Sequence, residues 1–237
     1  MKKKKIILIT VSAVLILATA LGCIYAFGFY LPKKREEEEM LRLVEEYYEN
    51  KLTLYREENE RYSDYEVDVA FLGDSLTDGC DLSKYYPAYI TANRGIGGET
   101  SHGLLERLEV SLFALKPKVA VFLIGGNNLN TMLDDYEDII RSTKEALPDT
   151  KIVICSLTSM GGSFSEKNKI AAYNNVTLKK ISEKYGAEFV DIFTPLFNME
   201  TSEIYEKYTS DGVHLTDEGY LVLKSKITPA IDKLLSK

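Results

Sequence analysis

Four short stretches carry residue types that can do covalent chemistry together. Gly73-Asp74-Ser75-Leu76 sets a serine just after an apolar run, and Gly95-Ile96-Gly97-Gly98-Glu99-Thr100-Ser101 is a glycine-rich loop. Gly125-Gly126-Asn127-Asn128 ends in two adjacent amides, and Asp211-Gly212-Val213-His214 places a carboxylate three residues before an imidazole. A serine hydroxyl is a weak nucleophile; it needs a base within hydrogen-bond reach, itself oriented by a third group. The chain has two histidines, His102 and His214. Asp211 is near enough to His214 to accept from Nδ1–H, fixing the tautomer that leaves Nε2 free as a base. The expected triad is therefore Ser75, Asp211 and His214, while His102, near the start of a helical pattern, reads as a surface residue. The oxyanion that forms when Ser75 attacks a carbonyl needs N–H donors. The backbone N–H groups of Ser75 and Gly98 and the side-chain amide of Asn127 are the candidates, since glycine permits close backbone approach and Asn carries two N–H donors.

Each block alone also has a bland reading as a turn or a helix cap. All four in this order, each at a strand end or loop, resemble the SGNH hydrolases, also called the GDSL esterase/lipase family, over about residues 67–234. The resemblance implies a flavodoxin-like, three-layer α/β/α fold around a five-stranded parallel sheet, and a serine esterase that uses neither metal nor cofactor. It points to the same oxyanion positions; Gly98 matches the family's glycine because it directly precedes Glu99-Thr100-Ser101. It gives Asp74 and Asn128 supporting roles. Residues 103–108 and Lys116-Pro117 look most like the acetylhydrolase-type members, so the expected substrate is a small acyl ester, such as an O-acetylated cell-surface glycan or a lysophospholipid. An O-acetyltransferase with a sugar hydroxyl as acceptor, or a non-enzymatic membrane-anchored module, are the rival readings. The chain departs from the family where its third block ends in Asn128, a position often held by Asp. Thr77 stands where a G-x-S-x-G elbow has its second glycine, so this is not an α/β-hydrolase signature. Gly95-Ile96-Gly97 begins like a dinucleotide loop, but Thr100 fills the third glycine position, which argues against nucleotide binding.

The elements that must position these blocks alternate. Strands are expected at 67–72, 89–93, 119–124, 151–156 and 188–191. Helices are expected at 100–115, 134–147, 165–185 and 216–235. Such alternation predicts a parallel sheet covered on both faces, with the ligand beyond the carboxyl ends of the strands. Asn175-Val176-Thr177 fits a glycosylation sequon but falls inside a helical pattern, which makes it a coincidence.

Lys and Arg total 29 against 36 for Asp and Glu, a net charge of −7, which argues against a nucleic-acid partner. Cys23, Cys80 and Cys155 are too few for a zinc ribbon or a disulfide framework; a Cys80–Cys155 bond depends on geometry, and both read as buried small hydrophobes. Residues 6–31 carry no charge, enough at about 1.5 Å per residue to cross the roughly 30 Å bilayer core. Lys2 to Lys5 before it favour a cytoplasmic N-terminus and a catalytic domain outside the cytoplasm. The expected organisation is a Lys-rich tip and signal anchor over 1–32, a charged juxtamembrane helix over 33–62, and the hydrolase domain over 63–237. Cleavage after Ala18-Thr19-Ala20, or lipidation at Cys23, fits less well because the apolar run continues past both sites. Residues 33–61 offer a surface for self-association, although their apolar repeat is short for a coiled coil and equally suits a helix packed on the domain.

Overall fold

The structure, a computed structural model, describes residues 17–19 and 21–236. It divides into two compact units, Met1–Asn50 and Lys51–Lys237. The described part of the first is helical and includes most of α1 (Leu31–Asn59), with exposed Lys33–Glu37 and Lys34–Glu38 pairs one turn apart. Residues 6–16 and 20 of the expected membrane anchor lie outside the described residues. Among the described residues no helix is long and apolar enough to cross a membrane.

The second unit is built on five parallel strands: β1 (Val69–Gly73), β2 (Thr91–Gly95), β3 (Val119–Leu123), β4 (Lys151–Cys155) and β5 (Glu188–Val190), in the order β2-β1-β3-β4-β5. All five residues of β1 and of β3 are buried, as continuous apolar strands require when both faces are covered. One face packs Ala70, Leu72, Phe122 and Ile154 against α4 (Ser101–Glu106), α5 (Met132–Ala146) and α6 (Asn168–Tyr185). The other packs Val69, Phe71, Val121 and Val153 against α2 (Ser75–Asp78), α3 (Leu82–Tyr85) and α8 (Asp217–Leu235). Because β1 lies between β2 and β3, the chain leaves the ends of β1 and β3 toward opposite sides of the sheet. This is the switch point at which open α/β sheets bind ligands.

Several expectations shift in detail, among them the second strand, which runs Thr91–Gly95 rather than 89–93. The helix expected over 100–115 is regular over Ser101–Glu106, is interrupted at Arg107, whose side chain reaches a buried network, and continues as a π-helical turn, Glu109–Phe113. The helix expected from 165 begins at Asn168, after a 3-10 segment Gly162–Lys167; the Asn168 amide brackets Met160 by bonding both its N–H and its carbonyl. Short elements not anticipated include α2, α3, α7 (Phe193–Leu196), a 3-10 segment Glu206–Tyr208 and a two-stranded antiparallel ribbon of β6 (Phe197–Asn198) with β7 (Glu203–Ile204). The Cys80 and Cys155 thiols are free, and burial pushes both up to about 12.

Candidate active site

Ser75 is the first residue of α2, directly beyond β1. Asp74 caps this short helix by accepting from the Leu76 N–H at 3.1 Å, and the tight turn needs glycine at 73. A Cβ there would sit 2.2 Å from the Leu123 carbonyl oxygen and from Thr77 Oγ1. Position 1 of a helix has no intrahelical acceptor for its N–H, so the Ser75 amide is left for a ligand.

His214 arrives from the other end of the chain. Asp211 Oδ1 accepts from the backbone N–H groups of Val213 at 2.9 Å and His214 at 2.8 Å, which folds residues 211–214 into a tight turn. Its Oδ2 takes His214 Nδ1 at 2.6 Å, and His214 Nε2 then stands 3.1 Å from Ser75 Oγ. Gly212 makes the turn possible: its φ is +92°, and a Cβ would meet the Gly161 carbonyl oxygen at 2.4 Å. The same Gly161 donates its N–H to the Gly212 carbonyl, anchoring the turn beyond β4. Three hydrogen bonds, from the His214 ring first and then from the two backbone N–H groups, hold the Asp211 carboxyl down at about 2. Asp74 is shifted the other way. Burial raises it from 3.8 to about 6, only partly offset by the Leu76 N–H.

The glycine loop forms a turn in which Glu99 N–H donates to the Ile96 carbonyl, and Gly98, with φ +77°, takes the position that needs the left-handed region. Among the described residues the Gly98 N–H has no acceptor. Asn127, in a 3-10 turn after β3, donates one Nδ2 hydrogen to the Glu99 carbonyl at 2.9 Å. Its second hydrogen is free for a ligand, since an amide carries two donors. Asn128 does a different job. It accepts from the Ser101 N–H at 3.3 Å and donates to Ser101 Oγ at 2.9 Å and Thr131 Oγ1, pinning the loop to the start of α4. His102 is exposed and pairs with Asp135 and Glu106, away from Ser75.

Ser75, Asp74, Asn127, Asp211 and His214 line one cleft of about 210 Å³, closed by Leu76, Thr158, Met160, Phe164 and Val213. Gly98 does not line the cleft; it directly precedes Glu99, whose carbonyl accepts from Asn127. A larger cleft of about 580 Å³ around Phe193, Phe197 and Glu203 contains no histidine. Among the described residues no group of three or more His, Cys, Asp or Glu side chains is placed to hold a metal ion.

The sequence did not reveal the pair beneath this site. Arg107, 2% exposed, donates Nε to Glu99 Oε2 at 2.9 Å, Nη1 to the Arg94 carbonyl and Ser111 Oγ, and Nη2 to the Gly73 carbonyl. It thereby ties the ends of β1 and β2 to the glycine loop. The clue was available, because Arg107 interrupts the apolar stripe Leu104, Leu108, Leu112 on a face that must be buried.

Known proteins resemble the chain over the same region. The sequence model of the GDSL-like Lipase/Acylhydrolase family matches residues 71–222. The platelet-activating factor acetylhydrolase IB subunit alpha2 of Rattus norvegicus is 27% identical over 188 residues, covering 73% of this chain and 80% of that protein. The Bos taurus alpha1 subunit is 26% identical, covering 73% and 79%. Among solved structures, a GDSL-like lipase from Bacteroides thetaiotaomicron superposes with a TM-score of 0.67 at 23% identity, covering 77% of this chain and 97% of its own. By the family match over most of the sheet and all four blocks, the chain belongs to the GDSL-like lipase/acylhydrolase family and is a hydrolase of the esterase type.

Proposed function

We propose that the protein hydrolyses small acyl esters, acetyl esters above all, through a Ser75 acyl-enzyme. The observation that carries this is the continuous contact from Asp211 through His214 to Ser75 Oγ, with distances of 2.6 and 3.1 Å, inside a cleft. His214 Nε2 accepts the Ser75 proton as Oγ bonds to the ester carbonyl carbon. The carbonyl electrons move onto its oxygen, where the N–H groups of Ser75, Gly98 and Asn127 receive the charge. The intermediate collapses, the C–O bond to the alcohol breaks, and His214 hands its proton to the leaving oxygen. Water then enters, gives a proton to His214 and attacks the acyl carbon; release of the acid returns the proton to Ser75.

The cleft supports a short acyl group. Its 210 Å³ lies below the roughly 300–1,000 Å³ of sites for drug-sized ligands. The acetylhydrolase relatives and the fold-level similarity to an acetyl-xylooligosaccharide esterase, TM-score 0.57 at 22% identity, point the same way. In that esterase the catalytic mutants replace one serine and one histidine. Residues 6–31 serve as a signal anchor that holds the domain outside the cytoplasm, facing O-acetylated glycans or lysophospholipids of the cell surface. A screen of acetyl, butyryl and octanoyl esters, alongside acetylated glycans, tests the reading. Turnover must fall with chain length, and a preference for octanoyl would contradict it.

A further inference from the structure

The carboxyl-terminal turns of α1 lie outside the stretch matched by the family, yet they touch the back of both catalytic loops. Tyr55, 1% exposed, donates its hydroxyl to the Gly95 carbonyl at 2.5 Å. The guanidinium of Arg94 stacks 4.7 Å from the Tyr55 ring. Arg94 is fully buried; it pairs with Glu58 and donates to Asn59 Oδ1 at 3.0 Å, while Asn59 Nδ2 reaches the Val110 carbonyl. One helix turn earlier, Lys51 pairs with Asp78, the last residue of α2.

These contacts close a ring. Gly95 packs backbone to backbone on α2, since a Cβ there would come within 2.2 Å of the Asp78 nitrogen and 2.7 Å of the Thr77 carbonyl carbon. Asn93 strengthens the seam by donating to the Thr77 carbonyl and accepting from the Gly95 N–H. Ile96 N–H donates to the Gly73 carbonyl directly before Asp74 and Ser75. The helix therefore grips the end of β2, which leads into the Gly98 loop, through Tyr55 and Glu58, and the far end of the one-turn helix α2, which begins with Ser75, through Lys51. None of the three gripping side chains lines the cleft.

We propose that Lys51, Tyr55 and Glu58 are positioning residues, and that these turns of α1 set the spacing between the Ser75 nucleophile and the Gly98 donor. The inference rests on the esterase reading above. It makes the rate of the chemical step depend on a helix that touches no substrate. Buried contacts of this kind pre-organise a site because the loops they hold have no other register to adopt, and a misplacement of about 1 Å can cost about 10²-fold in rate.

The test uses the full chain in detergent, with 4-nitrophenyl acetate at 10 °C, where each variant is first shown to be folded by its unfolding curve. Tyr55→Phe removes one hydroxyl and keeps the stacked ring. Its kcat is expected to fall about 10-fold with KM within about twofold, because the remaining contacts limit the displacement to a fraction of that 1 Å case. Glu58→Ala should behave likewise, whereas Glu58→Gln, which still offers Arg94 an oxygen, should recover most of the loss. The shape of the pH profile should stay the same, since the Asp211–His214 pair is untouched. Wild-type kcat in both Tyr55→Phe and Glu58→Ala overturns the proposal, as does an equal loss in Glu58→Gln and Glu58→Ala. A wild-type chain that neither turns over the ester nor forms a Ser75 adduct would overturn the esterase reading instead.

Discussion

Replacing Asp74 by Asn probes the cost of placing a carboxylate behind the nucleophile. Asp74 is 5% exposed and its carboxyl is lifted by burial from 3.8 to about 6. The folded state therefore holds the proton more tightly than the unfolded chain. Its stabilising contribution is complete below pH 3.8 and is lost as pH rises through about 6. At about 1.36 kcal/mol per pKa unit, the shift is worth about 3 kcal/mol by neutral pH. Asn cannot ionise, yet its oxygen can still accept the Leu76 N–H that Asp74 now accepts. Relative to wild type, Asp74→Asn should thus gain about 2.4 kcal/mol between pH 4 and pH 7, a Tm difference growing by about 5–10 °C for a domain of this size. Thermal unfolding followed by circular dichroism at half-unit pH steps measures that difference curve. A flat curve from pH 4 to 8, or one falling with pH, would refute the reasoning, because either requires Asp74 to be no harder to ionise in the folded protein than in the unfolded one.

Further outcomes follow from the same contacts. Asn127→Ala should lose about 10²- to 10³-fold in kcat with little change in KM, the usual cost of one oxyanion donor. Asn128→Ala should lose less and Asn128→Asp should be tolerated, since Asp can still accept from the Ser101 N–H and hydroxyl; steady-state kinetics on one acetyl ester ranks them. Asp211→Asn should lose on the order of 10⁴-fold in kcat, as when a triad carboxylate becomes an amide. Its single carbonyl oxygen is claimed by the Val213 and His214 N–H groups, which turns the NH₂ toward Nδ1 and forces the proton onto Nε2. Activity near wild type in that variant would count against the triad. Protease added to intact cells should release the acidic domain and leave an anchored stub; full protection until lysis would place the domain in the cytoplasm.

Much of this was legible because it is local. The five strands are apolar runs bounded by turn residues, and the Asp211–His214 contact spans three positions, so spacing alone brings it within reach. The Ser75 contact crosses 139 residues and was legible only because the loops fall at the ends of successive strands. What could not be read depends on pairings between distant polar residues that carry no period. Nothing in the spacing of Tyr55, Glu58 and Arg94 shows that they meet, so the hydrolase domain was expected from residue 63, whereas the compact unit begins at Lys51. Periodicity alone continues a helix to 115 and does not show the interruption at Arg107. Elements of two to four residues, such as α3, α7 and the β6–β7 ribbon, are too short to show any repeat.

Esterase chemistry at this cleft requires Ser75 to be a nucleophile activated by His214. The most direct measurement is covalent labelling of the folded full chain with a fluorophosphonate, with the adduct located by peptide mass spectrometry and its rate compared among wild type, Ser75→Ala and His214→Ala. The expected result is a single adduct on Ser75, none in Ser75→Ala, and labelling slowed at least about 10²-fold in His214→Ala, the lower end of what a general base contributes. An unlabelled Ser75 in the folded wild type, or labelling of His214→Ala at the wild-type rate, would contradict it.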